Sequence, residues 1–133
     1  MAEQGPVVLV CDDEVGIVVA IGGFLRAKGC RVLTANSAAE AIAIGTEQAS
    51  RLQLVVMDVM MPDALGPAVV DELLKLNPAL KVLYLSGHAQ DENMYSGPAK
   101  LPMAMLHKPC SLTVLWKVVQ DLLAFRDVVG EGR

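Results

Sequence analysis

Acidic side chains end two short apolar runs of this sequence. Asp58 follows residues 54–57, and the pair Asp12 and Asp13 follows residues 7–11. A carboxylate at the exit of a buried strand is costly unless a charged group meets it. We therefore expect these acids to share a positively charged partner.

A lysine and a serine end two further apolar runs. Lys108 follows residues 103–107, and Ser86 follows residues 82–85. Carboxylates are the hard oxygen ligands that Mg2+ prefers, and phosphoryl transfer depends mainly on positioning and on neutralising the phosphoryl oxygens. An ionised carboxylate is itself a nucleophile and needs no base. The strand ends together predict one site for a divalent cation and a phosphoryl group, with Asp58 as the acceptor.

The composition is that of one ordinary globular domain. The chain has 133 residues, of which 53% are hydrophobic and 20% charged, so a single packed core is expected. A net charge of -4 argues against a nucleic-acid-binding surface, which normally shows clustered lysines and arginines. The sequence shows no membrane-spanning run and no secretory leader, which makes a cytoplasmic location the expectation. The three cysteines have no metal-site spacing and are expected to be reduced.

Strands and helices alternate along the chain. The predicted strands are 7–11, 31–35, 53–57, 81–85 and 103–107, and the predicted helices are 15–28, 38–50, 67–76 and 111–126. Such alternation predicts an α/β fold with a doubly wound, five-stranded parallel sheet and helices on both faces. Ligands of such sheets bind beyond the carboxyl ends of the strands, where the polar residues above lie.

Local signals define several boundaries. Gly29 is placed to end the first helix, while Ser37 and Glu40 have the spacing of a capping box before the second. Pro98 should cut short a further, irregular helix within residues 87–102. We expect a single domain over residues 1–133, with a core of about residues 6–127 and flexible ends at 1–5 and 128–133.

Four motifs, in this order, resemble the receiver domain of two-component response regulators over nearly the full chain. They are the acid pair after the first strand, the pattern 57–62 followed by Gly66, the hydroxyl of Ser86 before a glycine, and the dipeptide Lys108-Pro109. The resemblance implies a flavodoxin-like sheet with strand order 2-1-3-4-5. It also implies a cis peptide bond between Lys108 and Pro109, and cis bonds are nearly confined to proline.

The resemblance implies a metal site and a phosphoacceptor. Asp58 would accept a phosphoryl group from a phosphohistidine on a sensor histidine kinase or a histidine phosphotransfer protein. Asp13 would bind Mg2+ directly, and Asp12 directly or through a water molecule. Asp58 itself and the backbone carbonyl of Met60 would complete the protein ligands.

The resemblance also implies a switch region, made of Ser86, Met105 and Pro109. Ser86 would move toward the phosphoryl group, and Lys108 would bind a phosphoryl oxygen. Phosphorylation would then regulate a partner or an attached domain, and the protein would not be a turnover enzyme. A homodimer through the face formed by residues 86–126 is one option for its assembly, and neither nucleic acid nor membrane is an expected partner.

Departures from the family pattern lie on the face that passes the signal on. Met105 stands where receivers usually carry tyrosine or phenylalanine, Cys110 stands where phenylalanine is common, and Gly97 precedes Pro98 in the weakened helix. These departures leave open a degenerate receiver that binds partners without phosphorylation. Residues 83–88 also resemble receivers attached to hybrid sensor kinases, so a receiver excised from a hybrid sensor histidine kinase is a second open alternative.

Two other classes fit the sequence less well. A hydrolase with an aspartyl-phosphate intermediate needs an acid two residues after the nucleophile, where this chain has Met60. A flavin-binding relative would need a phosphate-cradling loop, rich in serine, threonine and glycine, after the first strand, and the sequence shows no evident loop of that kind.

Overall fold

Five parallel strands form one sheet in the computed structural model, which describes residues 5–87 and 103–125. The strands are β1 (Val7–Cys11), β2 (Arg31–Ala35), β3 (Leu52–Asp58), β4 (Lys81–Ser86) and β5 (Met103–His107). The helices of the described part are α1 (Val15–Ala27), α2 (Ala38–Glu47), α3 (Gly66–Leu76) and α4 (Leu112–Ala124). The order across the sheet is β2-β1-β3-β4-β5, which confirms the predicted doubly wound, flavodoxin-like α/β fold.

Some predictions fall on other parts of the chain. The further helix within 87–102 and the flexible ends at 1–5 and 128–133 lie outside the described residues, apart from Gly5 and Gly87. The extent of a single domain over 1–133 stays a prediction. Within the described ranges, no helix combines the length and the apolar character needed to cross a membrane.

The sheet is covered on both faces, which explains why its central strands lack polar alternation. On one face, Leu9 and Val55 pack with buried residues of α2 and α3. On the other face, Val8 and Val10 pack with buried residues of α1 and α4. Successive side chains of a strand point to opposite faces, so the apolar residues of β1 pack into both cores and fix the position of the strand end.

A glycine ends α1 as the sequence predicts. Gly29 has a φ of 97°, in the region that favours glycine. Its N–H donates to the carbonyl of Arg26 and that of Cys30 donates to the carbonyl of Leu25, both at 3.0 Å. This is the hydrogen-bond pattern of a Schellman motif, and it closes the helix before β2.

The predicted cap of α2 is present with one change. The Ser37 hydroxyl accepts a hydrogen bond from the Glu40 N–H at 3.1 Å. The Glu40 carboxylate accepts from the N–H of Asn36 at 2.6 Å, one residue before the usual position of a capping box. Both bonds satisfy N–H groups at the start of the helix.

The prediction that the second helix extends to residue 50 is wrong. The helix α2 ends at Glu47, and residues 48–51 turn into β3. The side chain of Asn77 holds this turn, since it donates to the carbonyls of Ala49 at 3.0 Å and Leu52 at 2.7 Å. No glycine or proline marks the end of the helix, and the partner that holds the turn, Asn77, follows α3 directly. The strands β1, β2 and β5 have the predicted bounds, and the remaining boundaries differ from the predictions by at most two residues.

Candidate functional site

Three acids lie together at the carboxyl edge of the sheet. Asp58 is the last residue of β3, and Asp12 and Asp13 follow β1 directly. Cys11 and Met57 are register partners in these neighbouring parallel strands, so their carboxyl ends meet. One carboxylate oxygen from each acid lies within 4.8 Å of the others. Asp12 is fully buried and Asp58 nearly so, whereas Asp13 faces solvent.

Lys108 brings a positive charge to this acidic cluster. Its ammonium lies 2.9 Å from Asp12 Oδ2 and 3.4 Å from Asp58 Oδ2. A third acid, Glu14, contacts the same nitrogen at 3.4 Å. The backbone fixes the lysine in place, since its N–H donates to the carbonyl of Ser86 at 2.7 Å. Lys108 is thus the positively charged partner that we expected for the strand-end acids, because buried carboxylates are costly without one.

The environment of Asp58 disfavours the ionised form of its carboxyl group. Burial, and next the charge of Asp12, raise the pKa of Asp58 to about 6. Lys108 and the N–H of Met60 act in the opposite direction, and that N–H donates to Asp58 Oδ1 at 3.3 Å. The group is thus ionised at neutral pH but gains from any added positive charge.

The donor set fits a small divalent cation. Asp12 Oδ1 accepts a hydrogen bond from the Glu14 N–H at 2.9 Å. Asp12 Oδ2 is buried and, although it lies beside the Lys108 ammonium, it accepts no hydrogen bond of good geometry from the residues that the structure describes. Buried polar atoms are rarely left in this way. Three carboxylates with one such oxygen form the oxygen-rich environment that Mg2+ prefers.

A cleft extends from the acids along α1. Its volume is about 700 Å³, which exceeds the size of a phosphoryl group, and Met60 lies in its wall beside Asp58. The far wall is mostly apolar and is formed by Ile17, Ala20, Ile21, Pro109, Cys110 and Leu112. The opening can therefore receive a larger molecule that presents its reactive group to Asp58.

The predicted switch residues lie at the same edge or near it. Ser86 is fully buried at the end of β4, one residue beyond Leu85, the register partner of Asp58. Met105 is half-buried in β5, and its register partner is the buried Tyr84. The peptide bond before Pro109 is cis, which confirms the expectation from the resemblance. Residues 88–102 of the predicted face lie outside the described part.

Gly66 shapes the loop that follows Asp58. Its N–H donates to the carbonyl of Val59 at 2.6 Å. A Cβ atom at this position would collide with the carbonyl oxygen of Asp58 and would lie 2.9 Å from Met57 Cγ. Only glycine allows this close approach of α3 to the end of β3.

The sequence did not single out Glu14, which lines the cleft, or Asp63, which lies in the loop that follows Asp58. The two carboxylate oxygens of Asp63 accept from the N–H groups of Ala38 and Ala39 at 3.0 and 3.2 Å. The Ala38 N–H is the main cause that lowers the pKa of Asp63. Glu14 extends the acid run of the first strand and could have been recognised. Asp63 carries no such signal, because its partners lie 24 and 25 residues away.

Comparisons with known proteins agree with this architecture. The family model described as "Response regulator receiver domain" matches residues 8–120. The sensor kinase CckA of Brucella abortus is 34% identical over 129 residues, which are 96% of this chain and 13% of that protein. A receiver domain protein from Clostridium thermocellum has a TM-score of 0.78 and 30% identity, over 89% of this chain and 94% of that one.

The receiver domain from the hybrid histidine kinase CckA is a further structural neighbour. Its TM-score is 0.75 at 26% identity, over 88% of this chain and 98% of that one. The curated relatives are longer than this chain, which spans from 13% to 51% of their length.

Proposed function

Since this chain belongs to the family of response regulator receiver domains, we propose that it accepts a phosphoryl group on Asp58 in a two-component phosphorelay. The observation that carries the proposal is that the Lys108 ammonium contacts both Asp58 and Asp12. Asp13 lies beside these two acids. Phosphorylation would switch the conformation of the region around Ser86, Met105 and Pro109 and so regulate a partner or an attached domain.

The chemistry needs an ionised acceptor and neutralised phosphoryl oxygens. An oxygen of Asp58 attacks the phosphorus of a phosphohistidine, so an O–P bond forms and the P–N bond breaks. The imidazole keeps the electron pair of that bond, takes a proton from solvent and leaves as neutral histidine. Lys108 pairs with one phosphoryl oxygen, and the hydroxyl of Ser86 donates to another. These contacts stabilise charge that spreads over the oxygens during transfer.

Asp12, Asp13, Asp58 and the backbone carbonyl of Met60 would hold Mg2+ in this scheme. The ion supplies positive charge to the phosphoryl oxygens when it is bound. The proximity of the three acids supports this role, and so does the raised pKa of Asp58, which follows first from burial and then from the charge of Asp12. Met60 contributes no proton-transferring side chain, which supports a phosphoacceptor rather than a turnover enzyme.

A protein is the phosphodonor that the surface around the cleft fits best. The apolar wall of the cleft borders α1, where Val15 and Val19 are 60% and 66% exposed. Apolar side chains beside a polar centre are typical of an interaction surface. A sensor histidine kinase or a histidine phosphotransfer protein would place its phosphohistidine at Asp58 and cover these residues.

The similarity to CckA supports one alternative setting for the same chemistry. The Brucella abortus relative is a sensor kinase, and the solved receiver domain of a hybrid histidine kinase that is also named CckA has this fold. The present domain would then act as a receiver of a hybrid sensor histidine kinase. A homodimer through residues 86–126 stays a prediction, because residues 88–102 of that face lie outside the described part.

Intact-mass spectrometry after incubation with Mg2+ and acetyl phosphate tests the proposal. The wild type should gain one phosphoryl group that hydroxylamine removes, as an acyl phosphate requires. Asp58→Asn should gain none, whereas Asp71→Asn, which replaces an exposed acid of α3, should label like the wild type. A wild type that stays unlabelled would favour a degenerate receiver, and a label that persists in Asp58→Asn would contradict the assignment.

A further inference from the structure

An exposed aspartate joins the loop after the phosphoacceptor to the start of α2. Asp63 Oδ1 accepts from the Ala38 N–H at 3.0 Å, and Asp63 Oδ2 accepts from the Ala39 N–H at 3.2 Å. Within the described part of the chain, these are the only hydrogen bonds that connect residues 60–65 to α2. Two N–H groups of the first helical turn thus depend on a side chain from a distant loop.

The loop that carries Asp63 is internally braced. Met60 and Leu65 form an antiparallel bridge, and the N–H of Met61 donates to the carbonyl of Ala64 at 3.0 Å. The base of the loop is fixed as well, since the Val59 N–H donates to the carbonyl of Leu85 at 3.0 Å. Asp63 lies inside this bridged loop, so we expect a change at Asp63 to reach Met60 rather than to be absorbed locally.

The start of α2 is also attached to the strand end that carries Asp12. The Asn36 side chain donates to the carbonyl of Asp12 at 3.3 Å, and the Asp12 N–H donates to the carbonyl of Ala35 at 3.2 Å. The first turn of α2 thus lies between two segments, one with Asp12 and one with Met60. Both segments supply ligands in the proposed metal site.

We propose that Asp63 is a positioning residue for the divalent-cation site, acting through α2 to hold the loop of Met60 against the segment of Asp12. The inference rests on the proposed function, because it assumes that the acidic cluster binds Mg2+. Linkage is reciprocal, so cation binding must in turn stabilise the contact between Asp63 and α2. Asp63 also becomes a route by which events at Asp58 reach α2.

The test compares two variants that each remove a cap from the same helix end. Asp63→Ala removes the cap and the connection to the loop, whereas Ser37→Ala removes only the Ser37 hydroxyl that accepts from Glu40 N–H. Both should lower the thermal midpoint by a few degrees. In a titration with Mg2+ alone, followed by amide NMR, Asp63→Ala should weaken binding by about fivefold or more. Ser37→Ala should change it by less than about twofold.

Amide hydrogen exchange supplies a second measurement that does not depend on phosphorylation. Mg2+ should slow exchange at Ala38 and Ala39 in the wild type and in Ser37→Ala but not in Asp63→Ala. The Mg2+ titration is repeated in about 1 M KCl, where the Debye length is roughly 3 Å, so that the electrostatic effect of removing the Asp63 charge is largely screened. The weaker binding of Asp63→Ala should persist there.

The outcomes separate this inference from the proposed function. If Asp63→Ala does not fold, Asp63→Asn, which keeps one acceptor oxygen, should show a smaller loss of affinity in the same direction. Equal affinities in the Ser37 and Asp63 variants, or a loss that vanishes at high salt, would overturn the positioning role. A wild type that binds no Mg2+ would instead overturn the proposed metal site.

Discussion

The ammonium of Lys108 lies closer to Asp12, at 2.9 Å, than to Asp58, at 3.4 Å. Without a metal ion, the lysine therefore neutralises the same carboxylates that would ligate Mg2+. A cation bound to the acids would neutralise them in place of the Lys108 ammonium, which would then be available to pair with a phosphoryl group. Competition between the two positive charges is the physical basis of the first prediction.

Lys108→Met should bind Mg2+ more tightly than the wild type, by roughly tenfold. The variant removes the ammonium that shares Asp12 and Asp58 with the metal ion, so the free acids gain more from binding it. In the absence of Mg2+, the free energy of unfolding should fall, because a buried ion pair loses one partner. Calorimetric titration and urea denaturation measure the two effects.

Glu14→Gln is the matched control for Lys108→Met. Glu14 contacts the same nitrogen, but its side chain is 62% exposed, and exposed ion pairs contribute less than about 1 kcal/mol. Its free energy of unfolding should stay within about 1 kcal/mol of the wild type. Weaker Mg2+ binding in Lys108→Met than in the wild type would show that the lysine supports the metal site instead of competing with the ion.

Asp58→Asn should stabilise the metal-free protein at neutral pH. The pKa of Asp58 is raised from 3.8 to about 6, so the folded state holds the proton more tightly than the unfolded state. This contribution to stability is fully present below the unfolded pKa and is lost as the pH rises through about 6. The neutral amide avoids the loss, which is on the order of 3 kcal/mol at about 1.4 kcal/mol per pKa unit.

Urea denaturation in EDTA between about pH 4 and pH 7.5 measures this effect. The stability difference between Asp58→Asn and the wild type should grow over that interval and level off above the raised pKa. Asp71→Asn, on the exposed side of α3, should show no such trend. A difference that shrinks as the pH rises would mean that Asp58 is held as a stabilised anion.

Addition of Mg2+ should raise the thermal midpoint of the wild type, since a ligand that binds only the folded state stabilises it. The rise should be larger at neutral pH than below pH 6, because protons compete with the ion for Asp58, whose pKa is about 6. Differential scanning calorimetry at several pH values tests this. Potassium at equal ionic strength is the control, and an equal rise with potassium would indicate simple screening.

Gly66→Ala should destabilise the fold and disturb the loop that follows Asp58. Its Cβ atom would meet the carbonyl oxygen of Asp58 and the side chain of Met57, and backbone cannot yield as a flexible side chain does. We expect a loss of at least about 2 kcal/mol in the free energy of unfolding, together with weaker labelling by acetyl phosphate.

Gly23→Ala is the control for this glycine. Gly23 lies on the exposed side of α1, and a Cβ atom there meets nothing within 4 Å. Alanine in a helix interior should stabilise the protein by about 0.5–1 kcal/mol relative to glycine. A Gly66→Ala variant as stable as the wild type would show that the loop can move away from Asp58.

The sequence alone determined the fold and the membership of the acidic cluster. Apolar runs without alternation predict buried parallel strands, and the carboxyl ends of parallel strands share one edge. The type of residue at each strand end, Asp12, Asp58, Ser86 and Lys108, therefore also predicts where these side chains lie. That inference needs only local patterns, because the regular geometry of the sheet supplies the distances.

Only the tertiary structure decided the contacts between loops and the energies that depend on burial. Asp63 caps a helix 24 and 25 residues away, and Asn77 closes the turn that ends α2, and neither pairing leaves a periodic signal. The Asp12 oxygen that accepts no hydrogen bond and the raised pKa of Asp58 likewise depend on burial, which only the packed fold determines. Irregular loops have no repeating geometry, so their partners are set by the packed fold rather than by the spacing of residues.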